Sequence, residues 1–102
     1  MMLASMSGET LIAGEYIVEI SGTEGTVFGG TCLLITASHN TNHAASGSVP
    51  LTLAFSGDII SCGLQMKTPS GHLRIVIKNA SGHVVAESSE VHPFGVVIAA
   101  GR

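Results

Sequence analysis

Five histidines have the widest range of chemistry in this sequence, since imidazole can bind a metal ion or change its charge near neutral pH. His72 and His83 fall near opposite ends of one predicted strand pair. A rise of ~3.3 Å per residue separates them by on the order of 20 Å, so they cannot share an ion. His39, His43 and His92 lie in polar connecting segments, and nothing in their spacing requires them to meet. We therefore predict no metal site and no cofactor.

The two cysteines, Cys32 and Cys62, lie thirty positions apart, each in an apolar segment with a strand-like pattern. Two thiolates are too few for a zinc site, and one cysteine pair in a small β-domain most simply joins its two sheets through a disulfide. Such a disulfide would stabilise the domain by about 3 to 4 kcal/mol. The alternative is a pair of buried free thiols that pack as small hydrophobic side chains. The disulfide is the favoured prediction.

No arrangement of residues indicates an enzyme. A serine nucleophile needs a histidine and a carboxylate, but the sequence has a single aspartate, Asp58, and no G-x-S-x-G motif. Glu15 and Glu19 fall on one face of a predicted strand about 13 Å apart, too far for the paired carboxylates of a glycosidase. The phosphate-binding G-x-x-x-x-G-K-[ST] motif is also missing. We predict that the protein is not an enzyme.

The composition is that of a small domain with few charges. Of 102 residues, 45% are hydrophobic and only 11% are charged, against roughly 25% charged in an average soluble domain. Neutral Ser, Thr, Asn and Gly must cover most of the surface, as in exported β-proteins and in subunits surrounded by other subunits. We expect residues 1–8 to be a flexible lead and residues 9–102 to form a single domain.

Charge and hydropathy restrict the partners. The net charge is −3, and all four Lys and Arg residues lie from Lys67 onward. So few basic and aromatic residues cannot build a nucleic-acid surface, and no apolar run is long enough to predict membrane insertion. The first residues lack the basic and apolar regions of a signal peptide. The chain is then either used without export or has already lost its signal, and we favour an extracytoplasmic or virion-associated location.

The clearest structural pattern runs over residues 59–88. Three alternating segments are separated by turn sequences at 68–71 and 79–82, which predicts a three-stranded antiparallel meander. On the outer face of its second hairpin, Arg74 would lie directly opposite Glu87. A slip of one residue would turn the apolar side chains to water, so the pattern fixes the register. The predicted inward pairs are Met66 with Leu73, Leu64 with Ile75, Cys62 with Ile77, Ile75 with Ala86 and Ile77 with Val84.

Seven or eight short strands and no helical period predict an all-β fold. We expect a small antiparallel β-sandwich, immunoglobulin-like or jelly-roll in connection, with the three-stranded meander toward its C-terminus. Residues 22–30 are predicted to be turn-rich, with Gly29 and Gly30 allowing close backbone approach or a positive φ. Residues 38–48 are predicted to form a polar loop, and His39, Asn40 and His43 are its candidate ligand contacts.

The disulfide has a consequence for the surface. If Cys62 faces the core, a bonded Cys32 must do so too, and Leu33 and Ile35 then point outward, where they need cover from a loop, the N-terminal lead or another subunit. The last strand, predicted at residues 94–100, is also apolar on both faces, and Val97 is its candidate interface residue.

These features favour a non-enzymatic structural or surface-interaction module. It would self-associate as a homo-oligomer or dock on a larger protein scaffold, such as a virion surface, filament or exported appendage. The alternative is a β-sandwich that binds a small ligand or carbohydrate through the 38–48 loop.

Overall fold

The computed structural model describes residues 15–101, which form eight β-strands and no helix. The lead predicted at residues 1–8 and the first residues of the domain predicted from residue 9 lie outside the described residues. The prediction of an all-β fold with seven or eight strands is confirmed. The strands are β1 (Glu15–Gly22), β2 (Val27–Ile35), β3 (Asn40–Ser48), β4 (Leu51–Ser56), β5 (Ile59–Met66), β6 (Leu73–Lys78), β7 (Val84–Glu90) and β8 (Val96–Gly101).

The strands form two antiparallel sheets of four strands each. Sheet I has the order β4-β1-β6-β7, and sheet II has the order β3-β2-β5-β8. Their inner faces pack together, so the predicted β-sandwich is confirmed. An immunoglobulin-like connection is wrong, because the first two strands of that fold are neighbours in one sheet, whereas β1 and β2 lie in opposite sheets. Eight strands in two sheets match the strand count of the jelly-roll alternative.

Successive strands cross between the sheets in a regular way. Along the chain, β1 and β4 of sheet I flank the β2–β3 hairpin of sheet II. In the same way, β5 and β8 of sheet II flank the β6–β7 hairpin of sheet I. The two halves meet where β1 pairs with β6 and β2 pairs with β5. Each half therefore contributes two strands to each sheet.

The first hairpin of the predicted meander is wrong. β5 pairs with β2 and β8, and β6 pairs with β1 and β7, so residues 67–72 cross from one sheet to the other. The Lys67 amide donates to the Val27 carbonyl at 2.7 Å on sheet II, and the Thr23 amide donates to the His72 carbonyl at 3.1 Å on sheet I. In a sandwich the inner faces of both sheets are apolar. Two strands with alternating apolar residues can therefore bury them in the core whether they are neighbours in one sheet or lie in opposite sheets.

The second hairpin is confirmed, with a different register. The side-chain oxygen of Asn79 accepts hydrogen bonds from two amides within the turn, at 2.9 and 3.1 Å. A bulge between Ile77 and Lys78 shifts the pairs, so that Ile77 faces Ala86 and Arg74 faces a serine rather than Glu87. Arg74 still reaches Glu87 diagonally, at 2.5 Å.

Inward-facing apolar side chains from both sheets form the core. On β1, Tyr16, Val18 and Ile20 are buried, and the Tyr16 hydroxyl donates to the Asp58 carbonyl at 2.8 Å. The apolar face of β4, formed by Leu51, Leu53 and Phe55, is half-buried against the core. The fully buried side chains from the other strands include Phe28, Cys32, Leu34, Ile60, Cys62, Leu64, Met66, Leu73, Ile75, Ile77 and Val97. On β5 and β6 the inward face predicted from the alternation is therefore the buried one, whereas Val84 of β7, also predicted to point inward, is 52% exposed.

The turn predicted around Gly29 and Gly30 is wrong, because β2 runs through both residues. Close backbone approach, the other part of that prediction, is confirmed: a Cβ atom placed on Gly30 would lie 2.0 Å from the Gly63 carbonyl oxygen. Only glycine fits at this point of contact between β2 and β5.

Candidate interaction surface

A disulfide links the two central strands of sheet II. The sulfur atoms of Cys32 and Cys62 lie 2.17 Å apart, and the two residues are direct cross-strand partners on β2 and β5. Both side chains are buried in the core. The pairing is as predicted, but the expectation that it joins the two sheets is wrong, because β5 lies beside β2 rather than opposite it.

The facing predicted from this pair is confirmed. With Cys32 buried, Leu33 and Ile35 lie on the outer side of sheet II, where both are half-buried. Val97, in contrast, is wrong as an interface residue, because it lies opposite Leu64 on the inner face and is fully buried. Its two neighbours on β8 point outward instead.

Val96 and Ile98 were therefore missed by sequence reasoning. They are 49% and 66% exposed. Both faces of this strand are apolar, so its own alternation does not tell which one is buried. The missing signal was the pairing of β8 with β5, which aligns Ile98 with Gly63.

No outward-facing strand residue of sheet II carries a charge, within the part of the chain that the structure describes. In each strand the residues that alternate with the buried ones are small, polar or aliphatic. We call this set the neutral face. It consists of Asn40, Asn42, Ala44, Ser46 and Ser48 on β3, Val27, Gly29, Thr31, Leu33 and Ile35 on β2, Ile59, Ser61, Gly63 and Gln65 on β5, and Val96, Ile98 and Ala100 on β8.

The outer face of sheet I has the opposite character. Its strands β1, β6 and β7 place acidic and basic side chains side by side. Lys78 Nζ lies 3.2 Å from Glu19 Oε2, and Arg74 lies 2.5 Å from Glu87. Glu15 is on the same face and accepts a hydrogen bond from the Ser56 hydroxyl at 3.4 Å. The charges on the strands are therefore concentrated on one side of the sandwich, while Lys67, which directly follows β5, places its side chain near Gly29 on the other side.

The neutral face is not flat. Val96 and Ile98 stand up along β8, and we call them the β8 ridge. Beside them, the lack of side chains at Gly29 and Gly63 leaves an open groove of ≈ 550 Å³, also lined by Gly30, which we call the glycine groove. Gln65 and Lys67 lie at one end of it, where Lys67 Nζ donates to the Gln65 side-chain oxygen at 3.2 Å.

The turn before β8 holds a further apolar side chain at the rim of this face. Phe94 is 51% exposed and has a φ of 56°, a backbone conformation that costs a non-glycine residue on the order of 1 kcal/mol or more. Two hydrogen bonds hold the turn in place. The Phe94 carbonyl accepts from the side-chain amide of Gln65 at 3.2 Å, and the Gly95 carbonyl accepts from the backbone amide of Met66 at 2.8 Å. The turn is thus tied to β5.

Glu90 closes the same turn. Its carboxylate accepts hydrogen bonds from the amides of Val91 and His92, at 2.9 and 3.1 Å, and contacts the His92 ring. The hydrogen bond from the His92 side chain, with those from the two amides, holds the pKa of the Glu90 carboxyl below its ordinary value of 4.5.

The predicted ligand loop at 38–48 is wrong, because residues 40–48 form the edge strand β3. Its Asn, Ser and Gly residues resemble a loop, but β2 pairs with the strand along its whole length. His39 lies in the preceding turn beside Ser38, Asn40 lies on the neutral face, and His43 faces the other way and packs on Phe55, with ring centroids 5.0 Å apart. The structure does not bring the three together.

Within residues 15–101 no group of three or more His, Cys, Asp or Glu side chains is arranged to hold a metal ion. The same residues contain no helix that could cross a membrane. Comparison of the chain with models of known protein families, with curated proteins and with solved structures finds no match.

Proposed function

We propose that this chain is a non-enzymatic assembly module that uses the neutral face of sheet II to self-associate or to dock on a larger scaffold. The observation that carries the proposal is the contrast between the two outer faces. Sheet I exposes ion pairs and sheet II exposes aliphatic, small and neutral polar side chains. Contact surfaces have charge-depleted centres, because a charge buried without a partner costs several kcal/mol.

The neutral face also offers a gain in free energy on burial. Val96 and Ile98 are about half exposed or more, and Leu33 and Ile35 are half-buried. Complete burial of an aliphatic side chain contributes about 1.5 to 3 kcal/mol, so each of these residues could contribute roughly 1 kcal/mol in a contact. An isolated surface rarely groups so many apolar side chains without using them.

The disulfide supports an oxidising setting. Buried disulfides persist in extracellular, periplasmic and virion-surface proteins and are rare in reducing compartments. A virion surface, filament or exported appendage therefore remains the setting we propose for the module. The alternative of a ligand-binding domain loses its support, because the loop that it needed is the strand β3.

Two variants test the proposal through their effect on self-association, each with a single lysine on one of the two outer faces. Thr31 is exposed at the middle of the neutral face, and Thr52 is exposed on the outer side of sheet I. By light scattering, the wild-type protein should gain mass with concentration, Thr31→Lys should stay monomeric, and Thr52→Lys should behave as the wild type. A wild-type protein that remains monomeric at the highest soluble concentration would overturn the proposal, and so would equal effects of the two lysines.

A further inference from the structure

We propose that the free edge of β3 is a second contact site of the domain, at which the β3 strand of another copy pairs antiparallel. The pairing joins the two copies of sheet II into one sheet of eight strands. It goes beyond the proposed function, because it uses backbone groups at the rim of sheet II instead of the side chains of the neutral face. β3 is an edge strand beside β2, and eight of its nine residues are exposed. Free backbone groups on such a strand are a template for a further strand.

The hydrogen bonds at the two ends of β3 show which of its backbone groups face away from β2. The Thr36 amide donates to the His39 carbonyl at 2.9 Å, and the Val49 amide donates to the Thr26 carbonyl at 3.0 Å. In an antiparallel pair every second residue bonds to its partner, and counting from either end assigns the odd-numbered residues of 41–47 to β2. The amides and carbonyls of the others point to the free edge, and we call these the free-edge residues: Asn40, Asn42, Ala44, Ser46 and Ser48.

The free edge of β3 lacks the features that keep edge strands from pairing. Its nine residues include no Lys, Arg, Asp, Glu or Pro, and its pairing with β2 contains no bulge. The other edge strands are shorter. β4 follows Pro50, β7 carries Glu87 and Glu90, and the Gly101 end of β8 packs on Val85 of β7. Charges, prolines, bulges and cover protect an edge, so β3 is the least protected edge among the described strands.

A second copy of β3 fits this edge in a register centred on Ala44. Ala44 then faces Ala44 of the other copy, and by the same count Asn42 faces Ser46 and Asn40 faces Ser48. Every one of these pairs can exchange two backbone hydrogen bonds, because both members are free-edge residues. The contact is the same for both copies under a two-fold rotation. Neither strand carries a charge, so no like charges meet at the edge.

The joined sheet makes one surface of two neutral faces. Residues that lie opposite each other in an antiparallel pair have their side chains on the same side, so both neutral faces lie on one side of the eight strands. Four strands ~4.8 Å apart and about nine residues long give a single face of roughly 600 Å² in projection. Specific interfaces bury about 800 Å² per partner, which a single face does not reach and two joined faces of roughly 1,200 Å² exceed.

The two Lys67 side chains stay apart in this arrangement. Lys67 lies over Gly29 on β2, and Gly29 is opposite Ser46 of β3. The Gly29 positions of the two copies are separated by three strand spacings across the sheet and four residues along it, which is roughly 20 Å. The Debye length at physiological ionic strength is about 8 Å, so the two ammonium groups are largely screened from each other.

The edge contact is weak by itself. Only Ala45 of β3 is buried, so pairing gains little from burial of apolar surface, and two strands that pair without such burial are marginally stable in water. We expect pairing at millimolar concentrations, too weak to give Thr31→Lys a gain in mass by light scattering. Copies held side by side on a scaffold reach effective concentrations in the millimolar range, and there the edges would pair.

Amide proton shifts test the pairing in the full chain of Thr31→Lys, in which the added charge opposes contact through the neutral face. The spectra are compared over roughly a tenfold dilution from a few millimolar. With rising concentration, the amide protons of the free-edge residues should move downfield as they form hydrogen bonds. The amides of the residues between them already donate to β2 and should stay in place. An alternating pattern confined to β3 is the result expected of edge pairing.

Ala44 offers a matched pair of variants in the same background. Ala44→Pro removes the amide at the two-fold axis and places a ring against the other copy. An edge strand tolerates this proline, because the amide that it removes does not bond to β2. Ala44→Val has the same number of carbon atoms and keeps the amide. The dissociation constant measured from the shifts should be about tenfold or more higher for Ala44→Pro than for Ala44→Val, while circular dichroism shows the same β-fold for both.

Three results would overturn the proposal. Shifts that are absent, or that spread over β2 and β5, would show that the copies do not meet at the edge. Equal dissociation constants for the two Ala44 variants would show that the amide is not in the contact. Hydrogen-bonded free-edge amides at every dilution, with nuclear Overhauser contacts to residues 1–14, would identify the N-terminal segment of the chain as the occupant. None of these results bears on the proposed function, which fails instead if the wild-type protein stays monomeric in light scattering.

Discussion

Replacing Cys32, Cys62 or both with alanine removes the same cross-link in every case. The losses in the free energy of unfolding should therefore not be additive. The disulfide closes a loop with a sequence separation of 30 residues, and loop-closure entropy for about 30 residues corresponds to about 3.6 kcal/mol. Truncation of each buried side chain adds about 1 kcal/mol. Each single variant should therefore lose about 4.6 kcal/mol and the double variant about 5.6 kcal/mol, where simple addition of the single variants would give about 9 kcal/mol.

Urea unfolding followed by circular dichroism measures these costs, at protein concentrations low enough to avoid association. Small domains have total stabilities of about 5 to 15 kcal/mol, so the single variants should lie near the edge of folding and melt roughly 20 °C or more below the wild type. The coupling free energy of the double-mutant cycle should equal the contribution of the cross-link.

Reduction supplies the control. Wild-type protein that is reduced while unfolded and refolded with reductant should lose about 3.6 kcal/mol, and the cycle measured under reductant should become additive. Additive costs in the oxidised protein, or a wild-type stability that does not change on reduction, would refute the reasoning.

Three further predictions concern single positions. Gly30→Ala should cost about 3 kcal/mol or more in urea unfolding, because its Cβ meets the Gly63 carbonyl, whereas Gly63→Ala should gain about 0.5 to 1 kcal/mol; equal effects would contradict this. The exposed Arg74–Glu87 ion pair should contribute less than about 1 kcal/mol to the free energy of unfolding, measured as the coupling in a double-mutant cycle. A coupling above about 2 kcal/mol would contradict this. Glu90 has a lowered pKa, so its contribution should be present above about pH 4.5 and lost as the pH falls further; amide exchange in its turn should show this loss in the wild type and not in Glu90→Gln.

On β5 and β6 the alternation of apolar residues predicted which side of the strand is buried, but not which strands are neighbours. The inward residues of β5 and β6 were identified correctly, and they are fully buried. Their assignment to one hairpin was wrong, because a side chain that points into a two-layer core is equally satisfied from either sheet. Neighbour choice depends on packing between segments that are distant in sequence.

Local composition misled where tertiary pairing supplies the backbone hydrogen bonds. Gly29 and Gly30 on β2, and the Asn- and Ser-rich residues of β3, have the composition of turns. They form strands because β2 is paired on both sides and β3 is paired with β2 along nine positions. An edge strand can carry polar residues on both faces, since water reaches it.

The candidate surface was predictable only in part. The cysteine pair gave the outward facing of Leu33 and Ile35 correctly. The absence of charge on the rest of the face was not visible along the chain, where the basic residues cluster from Lys67 onward. Charges segregate by face because β1, β6 and β7 come together in sheet I, and that arrangement is a property of the topology.

The position of the disulfide also determines what would hold the domain together if the chain were cut. Strands β1–β4 and strands β5–β8 are joined along the chain only by the short turn after β4, and Cys32 and Cys62 lie on opposite sides of that turn. A protease that cleaved there would leave two interlocked fragments, each completing both sheets of the other and still covalently joined. The oxidised domain would thus keep its mass and its fold after a nick, and only reduction with unfolding would separate the pieces.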